Sequence, residues 1–160
     1  MVFKKLTIGF LLERVVLSIL ILIFLACGSI KTEEDAIEVL NNHLGAIAEK
    51  DLTLLEQTLS PNGDMELILS GREVTYTTAS FIQLHKDWFN ETGWTYSWKI
   101  LNTNVNADLA IASVEVLYEE ADINGKPYFN KMIVGYGLRK ENGHWYVIKD
   151  QATSIEKSEM

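Results

Sequence analysis

From Thr32 to Lys50 apolar residues recur three and four positions apart: Ile37, Leu40, Leu44, Ile47 and Ala48 share one stripe, and mostly polar residues separate them. That spacing predicts an amphipathic helix, opened by Thr32 and Asp35 at capping-box spacing. Asp51 is placed to cap a second, shorter helix, LTLLEQTL, which Ser60-Pro61-Asn62-Gly63 stops. The stretch from Asp64 to Thr77 then alternates apolar and polar residues around Ser70-Gly71, as a small hairpin does. Phe81, Leu84, His85, Trp88 and Phe89 return to helical spacing, with Ser80 and Gln83 as a second capping-box pair, and predict a third helix.

Beyond Trp94 the period becomes two. Trp94, Tyr96, Trp98 and Ile100 fall on one face of a strand, with Thr95, Ser97 and Lys99 on the other. Polar turns at NTNVNAD, DINGKP and ENGH, two of them carrying Asn-Gly, join this strand to three more in an antiparallel meander. The order is helix, helix, hairpin, helix and four strands. This predicts an α+β fold with three N-terminal helices packed on a curved antiparallel sheet that carries a small hairpin.

The strand from Leu109 departs from simple alternation. Ala110, Ala112, Val114, Val116 and Tyr118 share one side, but Leu109, Ile111 and Leu117 make the other side partly apolar too. A sheet with one wet face alternates more cleanly, so the second face is expected to be covered, most simply by a second copy in a homodimer.

The first 26 residues have a different character. Lys4, Lys5 and Arg14 precede an apolar run from Val15 to Ala26 that only Ser18 interrupts, the pattern of an export signal. The run is 12 residues long, short of the roughly 20 that a membrane-crossing helix needs. It ends in FLACGS, which resembles a bacterial lipobox: cleavage before Cys27, the only cysteine, would leave a lipid on its sulfur. An ordinary signal peptide or an uncleaved anchor are the alternatives. The expected layout is a signal at 1–26, a tether at 27–32, one domain at 33–156 and a tail at 157–160. The address is then exported and membrane-anchored through Cys27, on the periplasmic side or the cell surface. Removing residues 1–26 takes Lys4, Lys5, Arg14 and Glu13 from 14 basic and 22 acidic residues, leaving 11 and 21 and a net charge of −10. That excludes nucleic acid as a partner, and with no cysteine left for a disulfide the domain relies on its core.

Several pieces in order resemble the nuclear transport factor 2-like superfamily, in its SnoaL-like or ketosteroid isomerase-like branch: EKDLTLLEQTLSPNGD, LSGREV, FIQLHKDWF and GHWYVIKDQATS, within Glu33–Ile155. The resemblance implies a cone, a curved sheet wrapped around helices with a pocket open at one end, and pairing through the sheet's outer face. Its members include isomerases, dehydratases and cyclases as well as binding domains without chemistry. In many relatives the tryptophan of the closing strand is followed on the same face by an aliphatic residue, two histidines and a serine. Trp145 and Val147 match, but Lys149, Gln151 and Thr153 stand in the remaining positions, so no histidine base or metal site carries over. KDQATS then reads as a polar strand end.

The ketosteroid isomerase logic needs a carboxylate base with a tyrosine and a protonated acid as donors. Asp64, Tyr96, Tyr118, Tyr136 and Asp150 supply the residue types. Asp64 follows a Pro-Asn-Gly turn and reads first as a turn residue, with the base as the lesser reading. His85 shares the apolar stripe of its helix and is the second candidate base, or a satisfied core histidine. Trp88, Tyr96, Trp98, Tyr118 and Tyr136 are the candidate lining of a pocket for a small apolar ligand, or plain core. His43, His85 and His144 have no metal-ligand spacing, and neither a metal nor another cofactor is implied. Two functions stay open: a binding or interaction module without a complete catalytic set, and a cofactor-free isomerase, dehydratase or cyclase using Asp64 or His85. A cone filled by its own aromatic side chains is a third reading.

Overall fold

The computed structural model describes residues 33–69, 74–123 and 126–159. The expected signal segment, Cys27 and the tether lie outside these residues, as do the Ser70-Gly71 and Asn124-Gly125 turns.

Helix α1 covers residues 33–48 and buries Leu40, His43, Leu44 and Ile47 along one stripe. Helix α2 (Leu52–Gln57) opens where the Asp51 carboxylate accepts from the Leu54 N–H at 2.9 Å. Helix α3 (Thr78–Phe89) is capped by Thr77, whose hydroxyl accepts from the Ser80 N–H at 3.1 Å. The expected cap, Ser80, instead sits in the first turn of the helix. Thr77 wins because it is the last extended residue and so points its oxygen back at the free N–H groups. Phe81 and His85 are the buried residues of α3.

Among the described residues six strands form one sheet: β1 (Asp64–Ile68), β2 (Val74–Thr77), β3 (Trp94–Val105), β4 (Leu109–Ile123), β5 (Lys126–Glu141) and β6 (His144–Lys157). Their order is β2-β1-β6-β5-β4-β3. The meander β3 to β6 is antiparallel as expected, and Asn142 and Gly143, both at positive φ, make its last turn. The sheet as a whole is mixed, however, because β1 runs parallel to β6 in the register Glu66↔Lys149 and Leu67↔Asp150. β6 ends the meander with a free edge, and the hairpin made early in the chain fills it. The intervening α3 and β3–β5 supply the long crossover that a parallel pair requires.

All residues of the core cluster lie between Ala36 and Ala152, so the domain carries its own core. It fills the space between the helices and one sheet face: Ala110, Ala112, Val114 and Val116 of β4, Val134, Tyr136 and Leu138 of β5, Trp145 and Val147 of β6.

Candidate functional site

The chemistry of the interior depends on one irregularity in β6. Leu138 pairs with Val147 but Gly137 pairs with Lys149, so Ile148 is the extra residue of a β-bulge. A bulge of one residue reverses which side chains face in. Trp145 and Val147 face the core before it; Asp150 and Ala152 face the core after it. Lys149, Gln151 and Thr153 are turned to the outer face, where Lys149 pairs with Glu66. Gly137 permits this geometry, since a Cβ there would lie 3.2 Å from the Lys149 Cβ. Trp145, Val147 and Lys149 therefore do not share a face, and the strand end that reads as wet contributes a buried acid.

Asp150 is 7% exposed and lies directly across from Tyr136. Burial pushes its carboxyl up to about 7, and the Tyr136 hydroxyl, its hydrogen-bonding neighbour, works against that rise. Tyr136 meets Tyr96 in turn; both phenols are raised, first by burial and then by the Asp150 charge. Among the described residues Asp150 takes part in no ion pair. A carboxyl in such a place keeps its proton up to neutrality and can then donate as well as accept a hydrogen bond.

One histidine borders this group and a second lies beyond it, past the Phe81 ring. His43 is fully buried, and its Nδ1 is 2.8 Å from the Thr58 hydroxyl. Thr58 spends its own proton on the Leu55 carbonyl at 2.7 Å, so it accepts from His43 Nδ1–H and leaves Nε2 as an acceptor. The His43 ring stands edge-on to Tyr136 at 5.7 Å and lies 5.9 Å from Phe81. Burial, with a smaller effect from His85, pushes it down to about 3. His85 donates from Nδ1 to the Phe81 carbonyl at 2.9 Å and is pushed down to about 4 by burial, which outweighs that bond.

The other candidates are distributed differently. Asp64 is exposed at the start of β1 and paired with Arg139 at 2.8 Å. Trp88 stacks on Trp94 at 4.4 Å, and Tyr118 joins them at 5.9 and 5.8 Å while donating to Glu120 at 2.6 Å. Lys50 places its ammonium 4.0 Å from the Trp94 ring centre. Trp98 donates from Nε1 to Asn41 of α1 at 3.3 Å. Of the five aromatic candidates, Tyr96 and Tyr136 converge on Asp150. The signal for His43 was present in its place on the α1 stripe between Leu40 and Ile47; that for Asp150 was the adjacent apolar pair Val147-Ile148, which breaks the alternation.

Two hollows differ in kind. Between α1 and β3–β5 a void of about 10 Å³ is bordered by Leu40, Thr103, Val105 and Leu138. On the outer face a groove of about 580 Å³ runs over Ile111, Ser113, Ile133, Gly135, Gly137 and Gln151. Among the described residues no group of three or more His, Cys, Asp and Glu is placed to hold a metal ion.

No protein-family model and no curated protein matches the sequence. Among solved structures, the chain is similar to a nuclear transport factor 2-like protein with a cystatin-like fold from Novosphingobium aromaticivorans, at 13% identity and a TM-score of 0.69 over 84% of this chain and 88% of that one. It is also similar to a ketosteroid isomerase-like protein from Erwinia carotovora atroseptica, at 16% identity and a TM-score of 0.64 over 77% and 95% of the two chains. The Kfla4162 protein from Kribbella flavida gives a TM-score of 0.70 at 10% identity over 81% and 95%. At such identities the likeness concerns the fold, and the chain has the nuclear transport factor 2-like, cystatin-like fold with a curved mixed sheet.

Proposed function

We propose that this chain is an exported lipoprotein, held to the membrane by a lipid on Cys27, whose domain is an interaction module paired with a second copy through the outer face of the sheet. One observation carries the pairing. The exposed large hydrophobic residues Val74, Tyr76, Leu109 and Ile111 project from that face, with Leu101 and Ile155 at β-bulges beside them. Concentration of exposed apolar residues on one face marks an interaction surface. Charge favours a second copy there. Glu66 with Lys149 and Glu115 with Lys131 cancel on this face, although the chain from Cys27 onward carries a net −10. Two acidic copies repel least where their own charges are paired.

Light scattering of the protein from Gly28 onward tests the pairing: a dimer is expected, and Ile111→Lys should convert it to a monomer of unchanged fold. A wild-type monomer at high concentration would refute the interface. Cys27→Ala in the full chain should move the protein out of the membrane fraction; retention there would refute lipid anchoring.

A second reading is a cofactor-free proton-transfer enzyme of isomerase, dehydratase or cyclase type. It is favoured by the buried Asp150–Tyr136–Tyr96 group, since a carboxyl that keeps its proton near neutrality beside a tyrosine is a hydrogen-bond donor pair of the kind that stabilises an enolate.

A further inference from the structure

We infer that two copies of this chain pair in one defined register, in which Ile111 of each seats in a bare channel that Gly135 and Gly137 leave on the outer face of the other. This rests on the pairing proposed above and deepens it: that reading puts a second copy on the face, and the register states which residues meet and why the occupant is the same chain.

The channel follows from β5. Val134, Tyr136 and Leu138 face the core, so Gly135 and Gly137 take two successive outward positions that carry no side chain. Ile111 and Ser113 flank them on β4, Lys149 and Gln151 on β6. The groove of about 580 Å³ runs over this spot. The single chain accounts for only one of the two glycines. Gly137 makes way for Lys149, whereas a Cβ on Gly135 would meet nothing nearer than the Gln151 carbonyl at 4.0 Å. Away from a bulge, a glycine inside a strand often marks the close approach of another backbone or a ligand.

The register of β4 on β5 identifies what approaches. Ile111 is 65% exposed and lies directly across from Gly137, so knob and socket sit side by side on one surface, the self-complementary pattern that a two-fold pair requires. A two-fold axis between the two sheets, parallel to the strands and midway between β4 and β5, sets β4 of each copy over β5 of the other and keeps the sheets aligned, as face-to-face sheets pack. Each outward residue of β4 then lies over the type of residue that it pairs with in its own sheet: Ile111 over Gly137, Ser113 over Gly135, Leu117 over Lys131. Ser113 is the smallest of the outward side chains of β4, so a methyl at position 135 fits beneath it and a leucine does not. Charge obeys the same exchange. The outward row of β4 carries Glu115 and Glu119, and that of β5 carries Lys131 and Arg139, so crossing the rows brings acid over base. Lys131, 2.9 Å from Glu115 of its own copy, comes to lie between Glu115 and Glu119 of the other.

The test uses protein from Gly28 onward. One batch is deuterated except for carbon-13 isoleucine methyl groups, a second is deuterated except for glycine, and the two are mixed in urea and refolded together. A nuclear Overhauser effect from the Ile111 methyls to glycine protons can then arise only between copies, and it is expected at Gly137 and Gly135. Gly135→Leu, which the single chain has room for, should weaken dimerisation at least tenfold in sedimentation equilibrium while leaving the circular dichroism spectrum unchanged. A dimer without the effect, or one that Gly135→Leu leaves at wild-type affinity, overturns this register while the pairing stands. A wild-type monomer overturns both and leaves the groove to another occupant. Should the leucine disturb the fold, the isotope experiment on the unaltered sequence decides by itself.

Discussion

Replacing Asp150 by asparagine should stabilise the domain at neutral and alkaline pH and do little in acid. Unfolded, the carboxyl titrates at its ordinary value of 3.8; folded, burial raises it to about 7. Between those values the folded chain keeps a proton that the unfolded chain has released, so wild-type stability falls by about 1.4 kcal/mol for each pH unit gained. The full cost, reached above pH 7, comes to about 4 kcal/mol, a large part of the 5–15 kcal/mol typical of a domain. Asparagine keeps the shape and an acceptor for Tyr136 without the ionisation. The histidines act in the opposite sense. His43 and His85 drop from 6.5 to about 3 and about 4, so the stability gained by keeping them neutral is present above pH 6.5 and is lost as pH falls through those values. Comparing the two proteins at each pH cancels that contribution. Urea unfolding followed by tryptophan fluorescence, with the buried Trp94 and Trp145 as reporters, should give superimposable stabilities near pH 4 and an advantage for Asp150→Asn that grows to pH 7 and then levels. A difference that stays constant from pH 5 to 8, or an asparagine variant that is the weaker protein at pH 8, would refute a buried, proton-holding Asp150.

The bulge in β6 makes two glycines unequal: Gly137→Val, forced against Lys149, should cost about 1–3 kcal/mol, whereas Gly135→Ala, which meets only the Gln151 carbonyl at 4.0 Å, should leave the melting temperature nearly unchanged in differential scanning fluorimetry. Asp51→Ala removes the cap of α2 and should cost about 1 kcal/mol in the same assay; no change would mean that packing of Leu55 alone holds the helix.

How much of this was legible in the sequence divides along the range of the interactions involved. The α1 stripe, the Asp51 cap, the Asn142-Gly143 turn and the alternation of Trp94, Tyr96 and Trp98 involve residues within a few positions of each other, and all appear in the structure. The cap of α3 was displaced to Thr77 because Thr77 and Ser80 both carry hydroxyls at plausible spacing, and only the backbone angle at Thr77 decides between them.

The parallel pairing of β1 with β6 joins residues 83 apart, Glu66 and Lys149, and alternation specifies which side of a strand is buried but not its partner or direction. The inward turn of Asp150 follows from one extra residue at Ile148, whose position depends on the register of the neighbouring strand. The sequence by itself thus determined the elements, their order and the apolar character of both sheet faces, since these rest on local periodicity and capping. The tertiary structure alone decided that Asp150, Tyr136, Tyr96 and His43 share one interior. Their meeting depends on a bulge, a register and a helix orientation, each set by contacts between distant parts of the chain.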